Sequence, residues 1–333
     1  MLFRSLYKPG KELFTLLDKL GSQSVPVHQV ILLNTEEKYF EQLIYGTRFL
    51  EQYQNIKVYH VSKREFDHGG TRRMGVKKSS ADVFVMMTQD AMPVDNKLIE
   101  NLIKPLQGST AVSYARQLPR KDSTPVESYT REFNYPDRSR IKSAEDLKTL
   151  GIKTFFCSNV CAAYRREIYE ELGGFVRHTI FNEDMIYAAK AVEAGYSIAY
   201  AADAEVVHSH NYTNGQQFHR NFDLGVSQAE HPEVFAAYPS ESEGKRMVKD
   251  VTAYLREQHM TAKLPHFYIQ CACKYAGYLL GKNYRRLPKK WVLAFTSNKE
   301  YWKQNRAGWV AKATTRVPSS IREMVPCFKS PAA

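Results

Sequence analysis

Asp82-Val83-Phe84-Val85-Met86-Met87, running into Thr88-Gln89-Asp90-Ala91-Met92-Pro93, is the stretch that decides the fold. An unbroken run of β-formers closed by turn residues reads as a strand buried on both faces, the pattern of a parallel sheet covered by helices. In open α/β sheets, ligands bind at the carboxyl ends of the strands. Asp90 is therefore delivered to the place where chemistry happens. Upstream, a helix is expected from Gly10 to Leu20, with a strand over Val27–Leu33. A helix over Glu36–Tyr53, a strand over Ile56–Val61 and a helix over Thr71–Ser80 follow. Downstream come a helix from Asp95 to Leu106 and a strand over Ala111–Ala115. Such alternation argues for a doubly wound, mostly parallel α/β sheet flanked by helices.

Residues 116–155 are irregular and rich in Arg, Lys, Pro and Ser, with Ser143 as a candidate helix N-cap. Thr154-Phe155-Phe156 reads as extended. Helices are expected from Arg165 and from Glu183, the second ending at Gly195. Ser197–Ala201 and Glu205–Val207 read as extended, leading to His208-Ser209-His210. From Ser240 the pattern is helical, broken by Pro265 and Pro288. The division expected is a catalytic domain over 1–235 and a helical, basic C-terminal region over 236–333.

The 333 residues are 43% apolar and 25% charged, ordinary for a soluble globular chain. No stretch approaches the roughly 20 apolar residues that span a bilayer. Met1–Leu6 is too short and too quickly polar for a secretory signal, so a cytoplasmic protein is expected. Five cysteines at 157, 161, 271, 273 and 327 lack paired zinc spacing and read as reduced packing residues. The net charge of +12 is uneven: from Gly281 onward twelve Lys/Arg face two Glu, whereas the first 280 residues carry 35 basic and 33 acidic groups. A nucleic-acid binder would not concentrate its charge this way, so no nucleic-acid partner is expected. The tail's interleaved Tyr284, Trp291, Phe295, Tyr301, Trp302 and Trp309 suit an anionic membrane surface. The alternative is a solvated basic face.

Four motifs carry chemistry. In Phe66-Asp67-His68-Gly69-Gly70-Thr71-Arg72-Arg73, two glycines before a helix allow backbone N–H groups to approach a phosphate, and Arg72 suits its oxygens. A tight turn with solvated arginines is the plainer alternative. Asp90 could hold a divalent cation on a diphosphate, or could simply cap the turn before Pro93. Glu183-Asp184 opens a helix, where negative charge is favoured anyway; the chemical reading is a general base. His208 or His210 could complete a metal site.

Together the motifs resemble family 2 glycosyltransferases of the GT-A fold, and within them the bacterial rhamnosyltransferase-like branch. The carrying residues are Tyr7-x-Pro9-Gly10, Phe66–Arg72, Thr88-Gln89-Asp90-Ala91, Arg116-Gln117-Leu118-Pro119, Phe156-x-Ser158-Asn159, Asn182-Glu183-Asp184 and His208-Ser209-His210-Asn211-Tyr212. The resemblance spans residues 7–230 and continues faintly to Trp302. It implies Asp184 as catalytic base, and Asp90 with His208 as ligands of Mg²⁺ or Mn²⁺. Donor-binding roles are implied for Asn34, Gly69, Gly70, Arg72, Gln89, Asp90 and Arg220. Arg116, Gln117, Asn159 and Glu183 would contact sugar or acceptor. Gln217-x-x-Arg220 resembles the QxxRW motif of processive synthases, but Asn221 stands in the Trp position, so a processive polymerase is not expected. The chain also departs from the family in its first strand, where only Met1-Leu2-Phe3 precedes Arg4, so that strand is expected to be short or truncated.

The function implied is inverting transfer of a sugar, L-rhamnose from dTDP-L-rhamnose, to a lipid-linked or growing cell-surface polysaccharide. The enzyme would rest peripherally on the inner face of the plasma membrane. The alternatives are the same fold with a UDP-hexose donor, or an inactive sugar-nucleotide-binding subunit of a polysaccharide assembly complex.

Overall fold

The computed structural model describes residues 2–238 and 241–304. Nine strands form one sheet: β1 (Leu2–Tyr7), β2 (Val30–Thr35), β3 (Ile56–Val61), β4 (Val83–Thr88), β5 (Met92–Pro93), β6 (Thr110–Leu118), β7 (Arg140–Lys142), β8 (Cys161–Arg165) and β9 (Ser197–Val207). Their order is β3-β2-β1-β4-β8-β6-β9-β5, with β7 also on β9. The first four strands are mutually parallel. β8 then runs antiparallel to β4 and β6, and β6 and β9 are parallel again.

Strand alternation sends successive residues to opposite faces, and here both faces are covered. Phe3, Ile31, Leu33, Phe84 and Met86 pack with Tyr164, Ile186 and Tyr187 on one side. Leu2, Leu32, Val85 and Met87 pack with Leu13, Leu16, Phe40 and Leu98 on the other. Two buried faces explain why β2 and β4 read as continuous apolar runs. β1 is not short: it pairs with β2 along all six of its residues and with β4 from Leu2 to Ser5.

The structure departs from the sequence reading in three places. The helix expected over Glu36–Tyr53 is two, Glu37–Ile44 and Phe49–Gln52, separated at Gly46, whose φ of 72° ends the first. Thr154–Phe156 is not extended; Gly151–Phe155 is a 3₁₀ turn, and the strand is Cys161–Arg165, at the centre of the sheet. Pro125–Asn134 is a helix inside the segment read as irregular. Thr124 caps it by accepting from the Glu127 N–H, and Pro125 occupies its first turn.

The C-terminal helices Glu241–Glu257, Leu264–Lys282, Lys289–Phe295 and Lys299–Gln304 pack back onto the core. Helix Leu264–Lys282 lies against helix Asn214–Glu230 so closely that a Cβ on Gly281 would stand 2.0 Å from the Phe222 carbonyl, and one on Gly277 2.3 Å from that of Phe218. Tyr284, Tyr301 and Trp302 are buried with Phe222 and Val226, and Phe295 is partly so. These aromatics are therefore packing residues, not the membrane-facing set expected from the tail. Trp291 is exposed, and Trp309 lies outside the described residues. Among the described residues no helix is long and apolar enough to cross a membrane. Cys157, Cys161, Cys271 and Cys273 are all unpaired.

Gly281→Ala should lower stability in urea unfolding by about 1–3 kcal/mol, because the added methyl meets backbone. Gly244→Ala, in open space on helix Glu241–Glu257, should instead raise it by about 0.5–1 kcal/mol.

Candidate active site

The carboxyl ends of β4, β6 and β9 converge on Asp90, Gln117 and His208. Asp90 Oδ2 lies 2.9 Å from His210 Nε2 and 3.4 Å from His208 Nε2, and the two ring nitrogens are 3.2 Å apart. In x-His-x-His spacing at the end of a strand, both rings leave on one face, which is how β9 brings two histidines to one acid. Gln117 sets the chemistry of this trio. Its Oε1 already accepts from Arg131 Nη1 at 2.6 Å, so the His208 Nδ1 at 2.8 Å must be the donor. Its Nε2 donates to the Tyr135 hydroxyl and to Ser158 Oγ. His208 is thereby held with an Nε2 lone pair facing Asp90, the arrangement that outer hydrogen bonds impose on metal-binding imidazoles. Burial lowers the His208 pKa and favours the neutral ring, although Asp90 opposes it. Burial would raise the Asp90 pKa, but the two imidazoles beside it prevail and hold its carboxyl far below the usual range. Three ligand atoms within 4.8 Å of one another fit a divalent cation.

A second acidic centre opens helix Glu183–Glu193. Asn182 precedes it in the left-handed conformation, φ 63°, which Asn tolerates better than most residues, and its amide donates to Ser227 Oγ. Glu183 is buried, paired with Arg72 Nη1 at 2.5 Å and with Asn159 Nδ2 at 2.9 Å. Asp184 stays partly exposed and accepts from two backbone N–H groups, Asn159 at 2.8 Å and Met185 at 2.9 Å. Burial opposes ionisation of both acids, but with opposite outcomes. Arg72 keeps Glu183 charged and its pKa low. Asp184 is raised by desolvation and by the neighbouring Glu183 charge, against the pull of its backbone donors. A partly exposed carboxylate with a raised pKa is what a general base needs.

The residues expected to bind ligand separate into those that face open space and those the protein itself uses. The Gly69-Gly70 turn is enclosed by the protein's own backbone. Asp67 caps the helix His68–Lys77 by accepting from Gly70 N, and the 176–179 segment covers the turn: a Cβ on Gly69 would meet the Val176 carbonyl at 1.9 Å. Arg72, Asn159 and Glu183 are consumed in one buried cluster, closed by the Tyr164 hydroxyl on Asn159 Oδ1. Arg116 is committed to Glu205 at 3.2 Å and to the Tyr135 carbonyl. Gln89 accepts from Tyr7 N and ties the end of β1 to the turn after β4. Arg220 is exposed, its guanidinium over Phe181 and Tyr212, and Tyr212 in turn stacks on His210. Asn34 is fully buried at the end of β2, bonded to His60 and the Glu36 carbonyl, yet its Oδ1 has no partner. Arg131 went unnoticed in the sequence because its helix did; Thr124-Pro125-x-Glu127 was the signal that could have found it.

An acid at the tip of the last parallel strand, an Asp/His cluster able to hold a cation and a base candidate at a helix start define a GT-A glycosyltransferase. The comparisons agree. Residues 14–173 match the model of glycosyl transferase family 2. The chain is 38% identical over 299 residues to the O-antigen chain rhamnosyltransferase RfbN of Salmonella typhimurium, covering 89% of this chain and 93% of that protein. It is 41% identical over 245 residues to the O-antigen chain rhamnosyltransferase WbaN of Salmonella anatum, covering 73% and 78%. A mannosyltransferase of Pyrobaculum calidifontis, solved with GDP-Man and Mn²⁺, shares the fold with a TM-score of 0.56 over 84% of this chain and 86% of its own, at 14% identity. The chain belongs to glycosyl transferase family 2 and is a rhamnosyltransferase-like glycosyltransferase.

Arg72→Met should cost about 3–5 kcal/mol at neutral pH, because it strands a buried Glu183 charge. The loss should shrink as pH falls and Glu183 takes up a proton; thermal unfolding at pH 7.5 and pH 4.5 reads the difference.

Proposed function

We propose that this enzyme transfers L-rhamnose from dTDP-L-rhamnose, with inversion, to a lipid-linked or growing O-antigen-type glycan. The observation that carries the reading is a continuous chain of bonds between the two acidic centres. His208 bonds to Gln117, Gln117 to Ser158, and the next residue, Asn159, gives its N–H to Asp184. A cation ligand and a base are thus fixed to each other by short bonds, as a displacement between a departing diphosphate and an attacking hydroxyl requires. The identities to two rhamnosyltransferases support the choice of sugar.

A divalent cation on Asp90, His208 and His210 would offset the charge of the leaving diphosphate. Two imidazoles suit Mn²⁺ better than Mg²⁺, which prefers an all-oxygen shell. Arg220, exposed beside Tyr212 and His210, adds a cation to the same face. Asp184 removes the acceptor's hydroxyl proton as that oxygen attacks the anomeric carbon, and Asn159 and Met185 hold the carboxylate still.

Membrane attachment follows from a different surface than the tail aromatics. Tyr268, Tyr275 and Leu279 share one face of helix Leu264–Lys282, all exposed, with Ile269 beside them. Exposed Arg285, Arg286, Lys289, Lys290 and Trp291 follow directly. Apolar side chains next to a basic cluster suit an anionic cytoplasmic leaflet.

Asp184→Asn should reduce transfer at least about 100-fold, with donor affinity largely kept, and EDTA should abolish turnover until Mn²⁺ is restored. The base must be ionised, so kcat/KM should rise with pH through an acidic limb above the ordinary Asp range. Glu183→Gln removes the neighbouring negative charge and should move that limb to lower pH; a limb that stays in place would remove Asp184 from the role. Tyr275→Ser with Leu279→Ser should weaken co-sedimentation with phosphatidylglycerol vesicles while circular dichroism is unchanged. Equal sedimentation would assign that face no membrane role.

A further inference from the structure

A cavity of about 610 Å³ opens beside the cation cluster, between helices Pro125–Asn134, Asn214–Glu230 and Leu264–Lys282. Its inner wall includes His210 and Tyr212, so it adjoins the acid–histidine trio. The opposite wall comes from the C-terminal region and carries Lys263, His266 and Lys274. Glu127, on helix Pro125–Asn134, is the sole carboxylate lining the cavity among the described residues, and it is already held by Arg131 at 2.7 Å. Lys274 is half-buried and makes no hydrogen bond or ion pair among the described residues; burial pushes its pKa down. Lys274 faces the cavity with its nearest carboxylate, Glu127, already engaged, and so carries a desolvation cost that an anionic ligand would offset.

The same helix has two unlike faces. Its inner face presents His266, Phe267, Gln270 and Lys274 to the cavity, while Tyr268, Tyr275 and Leu279 point outward. A ligand with an anionic group at the membrane surface and a glycan reaching inward would meet both.

Building on the glycosyl-transfer reading, we propose that this cavity binds the phosphate-bearing end of the acceptor. Lys274, with Lys263 and His266 at the rim, takes the phosphate or diphosphate ester of a glycan whose sugar extends toward His210 and Tyr212. The C-terminal helix thus reads the acceptor's anionic linkage as well as packing the fold. The shared chemistry is a phosphate ester, whether from a lipid-linked glycosyl diphosphate or from a free phosphorylated ligand.

Two measurements on the full chain decide it. Calorimetric titration with inorganic pyrophosphate in EDTA, where the cation cluster cannot recruit it, should show binding that Lys274→Ala weakens about tenfold or more and Lys274→Arg retains. Transfer is then compared for one glycan presented as a lipid diphosphate and as an uncharged alkyl glycoside. Wild type should prefer the diphosphate, and Lys274→Ala with His266→Ala should cut that preference about tenfold or more. Pyrophosphate binding without the lipid preference would assign the site to a free phosphorylated ligand. No pyrophosphate binding, or equal binding by Lys274→Ala, overturns the proposal. Wild type that transfers to neither acceptor sinks the glycosyl-transfer reading instead, and the titration still judges the cavity.

Discussion

The buried pair between Arg72 and Glu183 is the constraint on which the site depends. Such a pair gives little net stability, because desolvation of two charges offsets most of their attraction. Its effect lies in placement. It ties helix His68–Lys77 to the start of helix Glu183–Glu193, and it keeps a negative charge beside Asp184. Were Glu183 neutral, Asp184 would titrate lower and be a weaker base. The ion pair therefore sets the basicity of the neighbouring residue without touching a ligand itself.

Gln117 plays the matching part for the cation cluster. One amide fixes the His208 tautomer with its oxygen and reaches Ser158 with its nitrogen, so two centres on different elements share one support. The C-terminal helices extend this economy. Glycines at 277 and 281 let helix Leu264–Lys282 come into backbone contact with Asn214–Glu230, and Tyr301 stacks on His178 at 4.3 Å, whose Nδ1 reaches Asp67. The C-terminal helices, up to Gln304, thus pack directly on the rest of the fold.

Much of the fold was legible because apolar runs and turn residues report local burial directly. β3 and β4 begin where the pattern says, and Ser143 is the expected N-cap, of a 3₁₀ turn that Asp146 closes as a capping box. Cys161–Arg165 was missed because Cys-Ala-Ala has no strand propensity; its strand state comes from pairing with β4 and β6 on either side. Gly69-Gly70 shows a related limit. Glycines before a helix signal close backbone approach, but the sequence cannot say whether a phosphate or another chain segment approaches.

The sequence by itself determined the parallel half of the sheet, the acid at the tip of β4, the acidic pair opening a helix and the two histidines after β9. It did so because each is a local pattern of burial or spacing. Only the tertiary structure decided which acid of the pair is buried and which meets solvent. It likewise separated the arginines engaged inside the protein from Arg220 at the surface, and it turned Tyr284, Tyr301 and Trp302 inward. Those outcomes depend on partners far along the chain, Arg72 for Glu183 and Gln117 for His208, and no local pattern encodes the distance between them.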